Sequence, residues 1–425
     1  MFKRATEPAP SQGVRRIGAA ERIAFVGGTV LDGTGSLPKT NTTILVEGGV
    51  VVGMGELPGD ELADTEMVDC HDAWITPGLI DCHSHLNGET TIDPYRRYLA
   101  PSPELKLFYA GRQMAAALAS GFTTLRDVGI GSAVALREAI RSDLIAGPRI
   151  LAANSAITTT GGHGDWTIFP REFGKAIQLR GNVADGVEEC LRAARRAFRE
   201  GADLVKVIPS GGGVTNHADD LAAHVEMSEE ELVAIIEEAH RRKARVAAHT
   251  NGLAAARLVI NAGVDTMEHG VFEPVPELLD AMVKRRISLI PTLLIFRWVA
   301  EEGRDVGIFE AGVEAAKRLL ELQLRLVAAA HDAGVNVAVG TDNGGFMPID
   351  ENARELELLM DAGLSATEAI AAATRNGAQA CGLETEIGTI DIGMRADLVV
   401  LNRDPTTDRS AFRRADGIRQ VVQAA

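Results

Sequence analysis

The middle of the chain alternates short apolar runs with amphipathic helical segments, and this alternation restricts the possible fold more than any other feature. Parallel strands need a long crossover between them, usually a helix. One such helix is predicted after Ser228, which forms a capping box with Glu231 ahead of apolar residues at helical spacing. The strand-like runs are 75–83, 122–128, 149–156, 203–209, 245–250, 264–268, 287–293 and 335–341. These repeated βα units predict an α/β protein, a (β/α)8 TIM barrel.

The two ends of the chain have a different residue pattern from the middle. Residues 23–70 and 387–402 consist of short Val- and Ile-rich runs separated by Gly-containing turns, a pattern typical of a small antiparallel sheet. We therefore expect residues 21–75 and 385–425 to form a composite β-sandwich domain beside a catalytic barrel of residues 76–384. Residues 1–20 lack the apolar run of a signal peptide, and we expect a mobile leader there.

The charge balance and the cysteines limit the partners and the compartment. The chain has 43 Lys and Arg against 59 Asp and Glu, a formal net charge of −16. We expect no nucleic-acid partner, because no basic stripe is present to neutralise phosphates. No stretch reaches the ~18 apolar residues of a membrane helix, so we expect no contact with a membrane. The four cysteines show no CxxC spacing, which is typical of a reducing compartment and indicates the cytoplasm.

Five of the ten histidines fall at or just after the ends of predicted strands. They are His83 and His85 at the first run, His163 after the third, His249 at the fifth and His269 at the sixth. The carboxyl ends of barrel strands form the catalytic face of this fold, so the distribution indicates an active site. An HxH pair on a strand projects both imidazoles from one face, where they can bind one ion, although ordinary histidines can have this spacing too.

Two further residues stand out at the same expected edge. Asp342 follows the eighth run, where it can serve as a ligand and base or merely as a turn cap. Lys206 lies inside the apolar run Leu204-Val205-Lys206-Val207-Ile208, so it must face a polar interior or form a buried salt bridge. A neutral lysine amine can react with CO2 to give a carbamate, whose two oxygens can bridge two metal ions.

Together these residues resemble the amidohydrolase superfamily, in its binuclear subtype with a carboxylated lysine. The resemblance extends from about residue 23 to the end of the chain. It rests on the segments 77–85 (PGLIDCHSH), 268–270 (EHG), 340–342 (GTD) and 388–401 (GTIDIGMRADLVVL), together with Lys206 and His249. The combination of these residues and segments is highly specific for the superfamily, whereas each of them alone is not.

The resemblance implies a ligand set and a reaction. One metal would be bound by His83, His85 and Asp342, the second by His249 and His269, and carboxylated Lys206 would bridge them. The two divalent ions would share a hydroxide and polarise the scissile carbonyl, with Asp342 as the proton shuttle. Imidazole and oxygen ligands favour zinc, and manganese and cobalt are compatible as well.

Three glycine-containing segments narrow the family branch. Residues 161–165, 210–214 and 247–252 resemble prolidase-like dipeptidases and carboxypeptidases, a branch that includes amidases able to hydrolyse ochratoxin. The implied substrate is therefore a dipeptide or N-acyl amino acid, and relatives on this branch are often homo-oligomers. In this interpretation His163 polarises the substrate carbonyl or holds its carboxylate; otherwise it is an accessible loop histidine. The turn that starts at Ser210 can cradle an anionic group or simply reverse the chain.

Two more residues are candidate substrate contacts. His217 lies in the segment 214–227, which departs from the pattern expected for the dipeptidases. Arg297 follows the seventh run, where it can pair with a substrate carboxylate or lie on the surface without such a role.

Three alternatives compete with this interpretation. A one-metal deaminase on the same fold would need a glutamate shortly after His249, but Gly252 stands there. A cyclic-amide hydrolase of the imidazolone or hydantoin type would use the same two metals without needing His163. A non-catalytic scaffold of the same fold is disfavoured, because all six implied ligand positions are occupied by suitable residues.

Overall fold

The computed structural model describes residues 13–86, 102–129, 132–165, 182–212, 224–344, 347–412 and 416–424. The strands are β1 (Val14–Ile17), β2 (Arg22–Val30), β3 (Lys39–Glu47), β4 (Val50–Gly55), β5 (Glu66–Asp69), β6 (Trp74–Pro77), β7 (Leu79–Ser84), β8 (Phe122–Asp127), β9 (Arg149–Ala152), β10 (Ile157–Thr158), β11 (Asn182–Val183), β12 (Val205–Val207), β13 (Val246–Asn251), β14 (Thr266–Val271), β15 (Ser288–Ile290), β16 (Leu398–Leu401) and β17 (Ile418–Ala424). This order, with helices between the parallel strands, confirms the α/β class.

The helices lie mainly between the parallel strands. They are α1 (Pro103–Ala119), α2 (Ala133–Arg141), α3 (Gly186–Arg199), α4 (Glu229–Arg241), α5 (Leu253–Ala262), α6 (Pro276–Arg285), α7 (Leu293–Glu302), α8 (Glu310–Asp332), α9 (Arg354–Asp361), α10 (Ala366–Ala372) and α11 (Arg375–Cys381). Helix α4 begins with the predicted capping box, in which Ser228 accepts from the Glu231 N–H. Among the helices described, none combines the length and the apolar character that crossing a membrane requires.

Both ends of the chain meet in one sheet, in the order β1-β17-β16-β6-β2-β3-β4, with β5 beside β2. Its apolar side chains form a core of their own that includes Ile23, Phe25, Ile75 and Val400. The predicted pairing of the two terminal segments is therefore confirmed. The expected leader extends too far, however, because β1 lies within residues 1–20 and pairs in parallel with β17. Residues 1–12 lie outside the part of the chain described.

Parallel strands occupy the middle of the chain. One sheet has the order β7-β8-β9 and the other the order β11-β10-β12-β13-β14-β15. The eighth predicted run, 335–341, is not a regular strand but lies between the two sheets. Leu289 exchanges backbone hydrogen bonds with Asn336 and Ala338 on one side, and the Cys82 N–H donates to the Val339 carbonyl on the other at 2.8 Å. The carboxyl ends of β7, β13 and β14 thus face one region.

Two expectations about the strands are corrected. The first run, 75–83, contains two strands, because β6 pairs with β16 of the terminal sheet while β7 pairs with β8. The chain crosses between the sheets at Gly78, where a Cβ would lie 2.1 Å from Thr123 Oγ1. The third run, 149–156, ends as a strand at Ala152, and the two-residue strands β10 and β11 add to the sheet without a signal in the sequence.

Candidate metal centre

Five imidazole rings form a continuous chain at the carboxyl ends of the parallel strands. Successive ring centroids are separated by 5.4 Å for His85–His83, 4.8 Å for His83–His269, 4.6 Å for His269–His249 and 4.8 Å for His249–His163. These are the histidines that the sequence places at strand ends. The fold brings them together from β7, the turn after β10, β13 and β14.

Asp342 completes one end of this chain of rings. Its Oδ1 lies 3.1 Å from His85 Nε2 and 3.4 Å from His83 Nε2. One nitrogen each from His83 and His269 and one oxygen of Asp342 lie within 4.8 Å of one another. Burial raises the pKa of the Asp342 carboxyl, but hydrogen bonds with His83 and His85 outweigh it and hold the pKa well below its usual range. Two imidazoles and a carboxylate fit a divalent transition metal.

Three of the imidazoles have one ring nitrogen occupied by the surrounding fold. His83 Nδ1 lies 2.6 Å from Glu268 Oε2, His85 Nδ1 lies 3.0 Å from the Gly129 carbonyl oxygen, and His269 Nδ1 lies 2.7 Å from Thr292 Oγ1. A carboxylate or carbonyl partner accepts, so Nδ1 of His83 and of His85 carries the proton. When a metal ion takes the place of the hydrogen bonds to Asp342, Nε2 of the neutral His83 and His85 rings has a lone pair with which to bind it.

His249 is held differently from the other three. Its Nε2 lies 3.1 Å from the Gly211 carbonyl oxygen and 3.0 Å from Asn251 Nδ2. Burial, followed by the nearby charges of His269 and His163, lowers the pKa of His249 well below its usual value. His249 is therefore neutral, and its Nε2 either donates to the Gly211 carbonyl or accepts from Asn251 Nδ2, according to the tautomer.

Lys206 lies on β12 with only 3% of its surface exposed. It is paired with Ala247 across the sheet, and His249 lies two residues further along β13, so Lys206 and His249 share one face. Burial lowers the pKa of the Lys206 amine to about 8, against the opposing charges of Glu268 and Asp342. A fraction of the Lys206 amine is thus neutral near neutral pH.

Three non-glycine residues at this edge have left-handed backbone conformations. The φ angles are +65° at His269, +53° at Thr292 and +55° at Asp342. Consecutive strand residues normally point to opposite faces, but the turn at His269 allows both Glu268 and His269 to contact the His83 ring. Such conformations are costly and are concentrated at functional sites.

His163 and Ser210 lie next to His249. The His163 ring stacks on the His249 ring at an interplanar angle of 28°, and its backbone N–H donates to the Glu226 carboxylate at 3.0 Å. The Ser210 hydroxyl is buried, donates to the His249 carbonyl at 3.3 Å and accepts from the Asn251 N–H at 2.9 Å. Ser210 therefore supports the backbone around His249.

The two remaining candidates are not brought to the rings by any contact described. The guanidinium of Arg297, on α7, lies 3.3 Å from Glu301 and 3.7 Å from Asp361. His217 falls in residues 213–223, outside the residues described. Both substrate contacts stay predictions.

Several buried charged residues around the rings have roles that the sequence alone does not predict. Asp81 accepts hydrogen bonds from the His83 N–H at 3.0 Å and the Thr341 hydroxyl at 2.7 Å, which ties the strand end of His83 to the segment before Asp342. Arg126 and Glu268 form a buried ion pair at 2.8 Å. Only Asp81 follows apolar strand residues as Lys206 does, whereas Arg126 and Glu268 lie in strands that contain other polar residues.

The comparisons with known proteins agree with this geometry. The model of the amidohydrolase family matches residues 74–423. The chain belongs to that family. It is 30% identical over 426 residues to the ochratoxinase of Aspergillus niger, across 95% of this chain and 85% of that protein.

Solved structures of amidohydrolases with the same overall fold point to the same branch. A Xaa-Pro dipeptidase with bound methionine has a TM-score of 0.84 and 28% identity over 95% of this chain and 98% of its own. A prolidase complexed with N-methylphosphonate-L-proline has a TM-score of 0.86 and 26% identity, over 95% and 100%. The structure of A. niger ochratoxinase has a TM-score of 0.84 and 27% identity, over 95% and 94%. The prolidase and ochratoxinase branch identified from the sequence is confirmed.

Proposed function

We propose that this protein is a binuclear metal-dependent hydrolase that cleaves the amide bond of dipeptides or N-acyl amino acids, with ochratoxin A among the candidate substrates. The observation that carries the proposal is the convergence of five imidazoles, Asp342 and a buried lysine at one edge of the parallel strands. In this proposal the parallel strands close into a (β/α)8 barrel, and the site lies at its carboxyl-terminal face.

The ligand set follows from the residues that meet there. His83, His85 and Asp342 would hold one ion, His249 and His269 the second, and carboxylated Lys206 would bridge both. To form the carbamate, the lone pair of the neutral Lys206 nitrogen would attack CO2, so that a C–N bond forms while one C=O π bond opens to an oxyanion, and the nitrogen would pass a proton to water. Support comes from the Nδ1 contacts of His83 and His85, whose Nε2 atoms face Asp342, and from the burial of Lys206 on the face of His249. Zinc suits these nitrogen and oxygen donors.

When bound, two divalent ions lower the pKa of water and polarise a scissile carbonyl. Asp342 supplies the proton transfers: its carboxylate accepts a proton from the attacking water and delivers it to the leaving nitrogen. The Asp342 side chain keeps 23% exposure, whereas that of His83 beside it keeps 1%, which suits a group that has to reach a substrate. The surrounding hydrogen bonds hold the imidazoles in place. Asp342 is the proposed proton carrier.

His163 is the proposed substrate contact. Its ring is half-buried, and the stack on His249 places it at the edge of the metal centre. An imidazole there can donate to the carbonyl or to the carboxylate of a substrate. The bond from its backbone N–H to Glu226 anchors the turn that carries the ring.

The test combines metal removal with a substrate panel. The purified protein is assayed for release of the C-terminal amino acid from dipeptides, N-acyl amino acids and ochratoxin A. It is assayed again after chelation and after zinc is restored. We expect turnover that chelation abolishes and zinc restores. Cleavage that survives complete metal removal would contradict the proposal, and bound metal without cleavage of any panel member would favour cyclic amides instead.

A further inference from the structure

The carboxylate of Glu268 joins a histidine of the candidate metal centre to a buried arginine. Glu268 lies on β14 with none of its side chain exposed. Its Oε2 accepts from His83 Nδ1 at 2.6 Å, and its Oε1 accepts from an Arg126 nitrogen at 2.8 Å. The Thr266 hydroxyl also donates to Oε1. Both oxygens are therefore engaged, one by a proposed ligand and the other by the fold.

Arg126 makes a second connection to the same ligand. It lies on β8 with 1% of its side chain exposed, and its Nε donates to the carbonyl oxygen of Cys82, the residue before His83. A further guanidinium nitrogen donates to the Thr266 hydroxyl at 3.1 Å. Arg126 thus fixes both the backbone that leads into His83 and the carboxylate that holds its ring.

The stability of the fold is by itself a weak reason to bury the ion pair of Arg126 and Glu268. Removing two charges from water costs about as much as their mutual attraction returns, and apolar replacements of similar volume are often neutral or stabilising. A carboxylate that accepts from a ligating imidazole, in contrast, fixes the tautomer and orientation of the ring and makes its other nitrogen a stronger donor. The geometry of Glu268 matches that second role.

We propose that Glu268 is a positioning residue that sets the metal affinity of the site through His83, and that Arg126 holds Glu268 in place. The inference rests on the proposed function, because it takes His83 Nε2 as a metal ligand. Acceptance of the Nδ1 proton keeps that nitrogen directed at the ion. Without the carboxylate the ring can rotate or change tautomer, and the ion then binds more weakly.

The chain offers a matched control in Glu238. This carboxylate on α4 has 5% of its side chain exposed and pairs with Arg195, Arg241 and Arg242. No contact described links it to the histidines of the centre. A substitution there removes a buried carboxylate from its arginines without touching a proposed ligand.

The experiment measures zinc affinity and stability of the metal-free protein. Wild type, Glu268→Gln, Glu268→Asp and Glu238→Gln are stripped with a chelator, and zinc binding is measured by competition with a chromophoric chelator. Loss of a carboxylate that supports a ligand weakens metal affinity by about 10- to 100-fold. We expect that loss for Glu268→Gln, a smaller one for Glu268→Asp, and affinity within about twofold of wild type for Glu238→Gln.

The outcomes separate this inference from the proposed function. If Glu268→Gln does not fold, Glu268→Asp tests the inference in its place. It keeps a charge for Arg126, but its side chain is one methylene shorter. Wild-type zinc affinity in the folded Glu268 variants, or an equal loss in Glu238→Gln, would overturn the inference while leaving the metal centre intact. A wild-type protein that binds no zinc would instead overturn the proposed function itself.

Discussion

The interior of the terminal sheet and the carboxyl ends of the parallel strands both contain fully buried side chains but differ in chemistry. Around Phe25 and Ile75 the interior is apolar. Around Lys206 and Glu268 it contains charges, imidazoles and left-handed backbone. Burial of apolar surface stabilises a fold, whereas burial of charges costs free energy unless each has a partner. The comparison indicates that one region contributes stability and the other holds the reactive groups.

Asp342→Asn should have the largest effect, a loss of activity without a loss of stability. Loss of a proton carrier lowers kcat by about 10²- to 10⁴-fold. Asparagine adopts the left-handed conformation of residue 342 readily, so backbone strain does not explain the loss. Circular dichroism and kcat on a cleaved panel substrate measure the two quantities separately. A variant with near-normal kcat would remove Asp342 from the mechanism.

Phe25→Ala should lower the stability of the fold and leave the activity unchanged. Phe25 is fully buried in the terminal sheet core, and such truncations cost about 3–5 kcal/mol. We expect a lower unfolding midpoint in urea and unchanged kcat for the molecules that remain folded. A large fall in kcat at full folding would show that the terminal sheet shapes the site and does more than stabilise the chain.

Lys206→Met should separate stability from metal binding at a single residue. A group that only supports a ligand contributes up to about 100-fold in metal affinity, and we expect at least that loss for the bridging ligand itself. The metal-free variant should melt at the same temperature as wild type or higher, because it no longer buries an amine. Calorimetry of both metal-free proteins checks this, and a clear fall in Tm would assign Lys206 a structural role instead.

His163→Ala should have the smallest effect of the series. A hydrogen bond to a charged group contributes about 1.5–3 kcal/mol, which corresponds to a 10- to 150-fold fall in kcat/KM. The metal content should stay at the wild-type value, since His163 is not among the proposed ligands. Parallel kinetics and metal analysis show both, and unchanged kcat/KM would exclude His163 from substrate binding.

The sequence predicts the α/β class, the paired chain ends and the histidines at strand ends, because these depend on local patterns. Lys206 is found because a charge inside an apolar run is unusual. The pairing of Arg126 with Glu268 is not found, since the two residues are 142 positions apart and meet only through the order of the strands. Strand β1 is missed because four residues carry too little alternation to distinguish a strand from a leader.

The number of metal ions per chain decides whether the site is binuclear. Elemental analysis of the wild-type protein, purified without chelators and supplied with bicarbonate, should give about two divalent ions per chain, as a two-metal hydrolase requires. Lys206→Met, prepared in the same way, should give clearly fewer. Equal metal content in both proteins would contradict the bridging role of Lys206, and a wild-type chain without stoichiometric metal would contradict the proposed chemistry altogether.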